Sequence, residues 1–192
     1  MKQTGIIMSG HHPIDILEGS KTMTRRTYGL ERVNKNPDDW ALAAVFLDGK
    51  ARFFNQKTDE DITLKCPYGG VGDRLWVKET WAVNILTNKP IYKADFDDSF
   101  EKPQGGWKSS LFMPHWASRI TLEITGSEIE KIQEITEEDI IAEGILAMPY
   151  PWALPIRKRF VALWDSLNAR RGYGWDKNPW VWLIGFRVLE IT

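Results

Sequence analysis

The sequence predicts an α+β fold built on a mixed or barrel-like sheet. Several segments alternate apolar and polar residues with the period of two expected of half-buried strands. Between them stand short segments with helix-capping residues and 3.6-residue apolar spacing. The two kinds do not follow one another in the regular strand–helix–strand order of a parallel sheet.

Taken in order, Ile14 to Ser20 reads as one or two helical turns. Pro13 suits the first helical position, Ile14 and Leu17 share a face, and Gly19 suits a left-handed cap. Lys21-Thr22-Met23-Thr24-Arg25-Arg26 then leaves that cap in an extended segment, with Lys21, Met23 and Arg25 on one face and Thr22, Thr24 and Arg26 on the other. A turn or bulge at the cap would break this alternation and bring Lys21 and Thr24 together. Residue chemistry alone also fits a solvated basic edge strand.

Ala41 to Phe54 reads as a hairpin, with Asp48-Gly49 as a type I′ turn. The glycine-bearing run Pro67 to Asp73 reads as a loop. Arg74 to Val83 alternates, placing Leu75, Val77, Trp81 and Val83 towards a core, with Glu79 the one charge on that face. Such a carboxylate is either buried, needing a partner or rising in pKa, or reaches water where the strand bulges or ends.

Thr87 to Gly106 reads as a mobile surface insert around one short strand, Ile91 to Ala94. Arg119 to Ile124 is a strand with Ile120, Leu122 and Ile124 inward. Thr136 opens a helix with Asp139 completing a capping box and Gly144 closing it. Pro155 opens another, striped by Phe160, Leu163, Trp164 and Leu167 and ended by Arg170-Arg171-Gly172. Trp180 to Ile191 is apolar on both faces over most of its length and predicts a strand covered on two sides. Leu75, Val77, Ile120, Leu122, Leu163, Trp164 and Trp182 are the expected core.

At 192 residues the chain is most simply one domain, and 43% hydrophobic with 27% charged residues is ordinary for a globular protein. Its ten tryptophans suit either core or base-stacking surfaces. Cys66 is the single cysteine, which rules out an intrachain disulfide and suits a reducing cytosol. No leader pattern and no apolar run near the roughly 20 residues of a membrane span is visible, so no membrane partner is expected.

A net charge of −1 argues against coating nucleic acid by bulk electrostatics. Contact would come from local clusters: Lys21 to Arg26, Arg157-Lys158-Arg159 or Arg170-Arg171, the last two also explained by helix-end dipoles. His11 and His12 are adjacent and His115 stands alone, without a paired-cysteine or His-Glu-x-x-His spacing, so no zinc site is expected. The glycine-rich phosphate motifs are absent too, and no cofactor is expected.

Ile-Leu-Glu-Gly-Ser-Lys-Thr-Met-Thr-Arg-Arg, ending at Arg26, resembles the opening signature of the ASCH domain family, relatives of the PUA RNA-binding domains. Gly72 to Trp81, Met113 to Ile120 and Asn178 to Trp182 are similar to segments of its longer, phage-associated branch. The resemblance implies one PUA-like β-barrel domain over residues 1–192 with short flanking helices. It also implies insertions near 31–66, 84–115 and 145–178, and the cytosol of a bacterium or phage-infected host.

Some compact members are amidohydrolases that deacylate the exocyclic amine of modified cytidine. The resemblance to them implies Lys21, Thr24 and Glu143 as catalytic residues, with Glu143 the softest match because Glu137 and Glu138 share its helix. The chemistry is coherent. A threonine hydroxyl attacks only if a neighbour takes its proton, and a lysine does so when burial or nearby cations lower its pKa. Arg25, Arg26, Glu79, Trp81 and Arg119 are the expected substrate or nucleic-acid contacts, and Glu79 is the alternative carboxylate. The competing reading is a non-catalytic binder of RNA or a modified base, followed by a ribonuclease. The partner is a modified nucleoside or RNA in each case.

Overall fold

The computed structural model describes residues 1–97, 99–145 and 154–191. Its main sheet has five strands, in the order β1 (Gln3–Ile7), β6 (Arg74–Lys78), β9 (Ile120–Lys131), β10 (Trp180–Ile191) and β2 (Met23–Arg26). β1 and β6 run parallel, and the other pairings are antiparallel. A second sheet comprises β3 (Trp40–Phe46), β4 (Lys50–Asn55) and β5 (Asp61–Lys65), and β7 (Trp81–Val83) pairs with β8 (Pro90–Tyr92). Among the described residues four α-helices accompany the sheets: α1 (His12–Leu17), α2 (Glu31–Asn34), α3 (Glu137–Ala142) and α4 (Ile156–Asn168). Among the described residues, no helix is long and apolar enough to cross a membrane.

The α+β class stands, but the expected closed barrel does not form. Among the described residues no ladder joins the edge strands β1 and β2. A cavity lined from both edges takes the place of that ladder, and paired strands would have to approach to about 4.8 Å. A side chain spans the gap instead: Arg26 Nη2 donates to the carbonyl oxygen of Ile7 at 2.7 Å.

The largest core cluster gathers Leu75 and Val77 of β6, Ile120, Leu122 and Ile124 of β9, and Trp182, Ile184 and Phe186 of β10. The second sheet covers it with Ala51 and Phe53 of β4, and Phe53 meets Trp180 edge to face at 5.3 Å. β10 is buried on both faces only through Phe186. Val181 turns the other way, into a cluster with Ile140 of α3 and Phe160 and Trp164 of α4. Of the stripe on α4, Leu163 is half-buried rather than core and Leu167 is exposed, because both line the cavity.

Three local expectations change. The β3–β4 turn is a three-residue loop in which only Gly49 takes a positive φ, of 78°, and its N–H bonds Phe46 O. That is a type I turn followed by a left-handed residue, not a type I′ turn. Arg74 to Val83 breaks at Glu79 and Thr80, so Trp81 and Val83 join a separate cluster with Met113, Ala117 and Tyr92. Residues 84–115 hold β8 and several 3₁₀ turns, and Tyr92 Oη anchors the segment by donating to Ala117 O at 3.0 Å. Residues 31–66 form α2 and the second sheet, and 145–178 hold α4, with 146–153 outside the described residues.

Asn34, buried at the end of α2, ties this region to β10. Its Nδ2 donates to Trp180 O at 2.9 Å, and its Oδ1 accepts from Trp180 N at 2.7 Å. Asn34→Ala leaves both backbone groups unpaired in the interior and is expected to lower unfolding free energy by about 2–4 kcal/mol. Urea titration with an unchanged m-value checks this.

Candidate active site

The approach to β2 explains the chemistry. Gly19, at φ 76°, ends the turn after α1, and Lys21 N–H bonds Asp15 O. The chain then runs beside the end of α3, where Thr22 N donates to Ala142 O at 2.8 Å and Lys21 bridges Glu143. Only after this does it join the sheet, where Thr24 and Arg25 pair with Ile184 and Leu183.

Glu143 is the residue that caps α3, whose start carries the predicted capping box of Thr136 and Asp139. Lys21 Nζ donates to Glu143 Oε2 at 2.7 Å and to its backbone oxygen at 2.6 Å, with the ammonium side chain fully out of solvent. Gly144 turns the chain at φ 90°, and a Cβ there would lie 3.2 Å from Lys21 Cβ. Burial pushes the Lys21 pKa down, while the Glu143 carboxylate pulls it back.

Arg25, on the same side as Lys21, is also buried. Its Nε donates to Glu130 at 2.5 Å, its Nη2 to Asp139 at 2.8 Å and its Nη1 to Glu143 at 3.4 Å. Three carboxylates therefore engage it, which leaves it ill placed for the expected substrate or nucleic-acid contact. It holds Glu143 in place instead.

Arg25 and Glu143 border a cavity of about 700 Å³, lined also by residues of β1, α1, β2 and α4 and by Tyr28, Tyr68 and Arg171. Thr24 and Glu143 both line it, and both are buried. Lys21 is thus brought together with Glu143, and Glu143 with the cavity that Thr24 faces. No hydrogen bond joins Lys21 to Thr24. Among the described residues no group of three or more His, Cys, Asp or Glu side chains is placed to hold a metal ion.

Glu79, Trp81 and Arg119 do not line this cavity. Arg119 grips Glu79 through two bonds of 2.9 Å, reaches Asp95 and stacks over Tyr92 at 4.1 Å. Glu79 is buried with its pKa raised by desolvation against the pull of Arg119. Trp81 packs with Met113 and Ala117. The trio pins the β7–β8 region to β9, and Glu143, not Glu79, is the carboxylate that meets Lys21.

Sequence reasoning missed His12, Tyr28 and Tyr68 in the lining, whereas Arg171 belongs to one of the basic clusters it named. His12 opens α1, just before the lysine–threonine motif, so a functional cleft there had a local signal. Tyr68 and Arg171 come from distant segments whose convergence no spacing reveals. The His12 pKa falls to about 4, chiefly through burial and then through the nearby Lys21 ammonium.

No protein-family model and no curated protein matches the chain. Among solved structures it is similar to a protein of the DUF984 family from Enterococcus faecalis V583, with 10% identity and TM-score 0.46 over 100% of this chain and 82% of that one. It is similar also to an ASCH domain from Lactobacillus crispatus JV V101, with 11% identity and TM-score 0.43 over 97% of this chain and 79% of the other. At this overlap and identity, neither likeness assigns a family or an activity.

Two predictions follow from the geometry. Arg25→Leu leaves Glu130, Asp139 and Glu143 without their shared cation and is expected to destabilise the fold by about 3–5 kcal/mol, read from chemical unfolding. The second concerns His12, whose folded pKa of about 4 lies below the ordinary 6.5. Between those values the unfolded chain binds a proton that the native chain does not, so stability drops as pH falls from 6.5 towards 4. His12→Gln is expected to flatten that part of the stability profile. An imidazole NMR titration with its midpoint near 6.5 would contradict the burial described here.

Proposed function

We propose that the chain is an amidohydrolase that removes the acyl group from the exocyclic amine of an acylated cytidine or a related modified pyrimidine. The observation that carries this reading is Glu143, shared between buried Lys21 and Arg25, at the wall of a cavity that Thr24 also lines. The motif resemblance to the deacylating ASCH proteins supplies the reaction class, and the resemblance to their phage-associated relatives supplies a cytosolic setting. In support stand a buried Lys21–Glu143 hydrogen-bonded pair and a threonine that lines the same cavity as Glu143. A cavity of about 700 Å³ suits a nucleoside-sized ligand.

In this mechanism Thr24 Oγ attacks the acyl carbonyl carbon while its proton passes to the Lys21–Glu143 pair. The carbon–nitrogen bond then breaks, and the pair delivers that proton to the departing exocyclic nitrogen. This step leaves cytidine and an acyl ester on Thr24. Water attacks the ester, its proton returns through the pair to Thr24 Oγ, and the carboxylic acid departs. The lowered pKa of Lys21 suits this exchange, because a lysine held far above neutrality accepts no proton.

A non-catalytic reader of a modified base is the second reading. One observation favours it: Lys21 directs both of its hydrogen bonds to Glu143 and none to Thr24.

Assay of the purified protein against acetylated cytidine separates the two. For the hydrolase, Lys21→Arg is expected to lower turnover at least about a hundredfold, since a guanidinium yields no proton. Thr24→Ala is expected to abolish turnover, and Thr24→Ser to retain part of it. Thermal melts of each variant separate loss of chemistry from loss of fold. Tight binding of several acylcytidines by the wild type without cleavage of any would leave the reader and remove the hydrolase.

A further inference from the structure

We infer that the cavity contains a phosphate subsite formed by Arg26 and Arg171 with the phenols of Tyr28 and Tyr68. Its ligand is then a phosphorylated nucleoside or a polynucleotide rather than a free nucleoside. The inference rests on the nucleobase reading above and specifies the substrate class that the same cavity takes.

The argument begins with the charges of the lining. The ionisable side chains there are His12, Arg25, Arg26, Tyr28, Tyr68, Glu143 and Arg171. Arg25 is engaged by three carboxylates. Glu143, the one acid, is held between Lys21 and Arg25. His12 is neutral at neutral pH, since its pKa lies at about 4. Two guanidiniums therefore remain without a carboxylate partner among the described residues. Elsewhere Arg32, Arg52, Arg119 and Arg187 each close on a carboxylate, and Arg157 on backbone oxygens.

Arg26 is half-buried, and its Nη2 reaches only neutral acceptors, Ile7 O at 2.7 Å and Met8 Sδ at 3.3 Å. Its Nε is buried without any partner, as is Oγ1 of the adjacent Thr27. A partly desolvated guanidinium without a carboxylate favours an anion, and Nη1, which makes no hydrogen bond, is the group placed to donate to a phosphate oxygen. Arg171 enters from the turn after α4, where it donates to Asn168 Oδ1 at 3.5 Å. Tyr68 is close enough to both Arg26 and Arg171 that each cation acts on its phenol. Burial nonetheless raises the Tyr68 pKa, so the hydroxyl stays protonated and able to donate. Tyr28 adds a second phenol in the same surroundings.

The test is calorimetric titration of the intact protein with cytidine, cytidine monophosphate, and a cytidine trinucleotide lacking terminal phosphates. At least one phosphate-bearing ligand is expected to bind about tenfold or more tightly than cytidine. Added salt should shrink that advantage. Arg171→Ala, a change at an exposed residue, should abolish it. Arg26→Lys, which keeps charge but not the fork, should reduce it.

A gain with the monophosphate identifies a free nucleotide as the source, and a gain confined to the trinucleotide identifies a polynucleotide backbone. The subsite is overturned if neither phosphorylated ligand binds more tightly than cytidine, or if the advantage survives Arg171→Ala intact. Cleavage of acylated cytidine without any phosphate advantage would remove the subsite and keep the hydrolase. A phosphate advantage without cleavage would do the reverse.

Discussion

Burial of two cations in one short stretch of chain is the constraint on which the rest of the site depends. The side chains of Lys21 and Arg25 are 0% and 1% exposed. A charge so placed is tolerated only if carboxylates close on it with good geometry. Those carboxylates come from Glu130 at the end of β9, Asp139 inside α3 and Glu143 at its cap. Satisfying the two cations therefore fixes three elements relative to one another. The sequence-local capping box contributes directly, because its Asp139 also accepts from Arg25.

The same arrangement divides labour along β2. Arg25 faces the carboxylates and sets the position of Glu143, whereas Arg26 crosses towards β1 and borders the open space. The gap between the two edge strands is thus both the reason the sheet stays open and the place where a ligand fits. Hydrophobic packing accounts for the walls: Phe160 and Trp164 of α4 are held by the cluster around Val181, which presents Leu163 and Leu167 to the cavity.

Much of this was legible in the chain. Alternation placed Ile120, Leu122 and Ile124 inward, and the spacing of Thr136, Asp139 and Gly144 marked α3, because both signals are local and set by backbone geometry. The pairing of Lys21 with Glu143 followed from a motif resemblance and not from spacing. Side-chain alternation also put Lys21 and Arg25 on one side, and both reach Glu143. What failed was non-local. Arg25 looked like a substrate or nucleic-acid contact because nothing near it in sequence shows that Glu130 and Asp139 converge on it. Arg119 and Glu79 looked like parts of the cleft, although they form a separate buried pair. Leu163 looked like core because a helical stripe records which side is apolar, not whether a cavity lies there.

The pairing of β2 with residues 182–185 of β10 carries a consequence for biosynthesis. Lys21 and Arg25 leave the ribosome long before the strand that β2 pairs with. Until Trp182 to Gly185 emerge, β2 has no ladder to join, and its two cations stay hydrated in a growing chain. Closing a contact across so much sequence is entropically slow. The wall that β2 gives the cavity is thus built by a long-range pairing rather than by local structure.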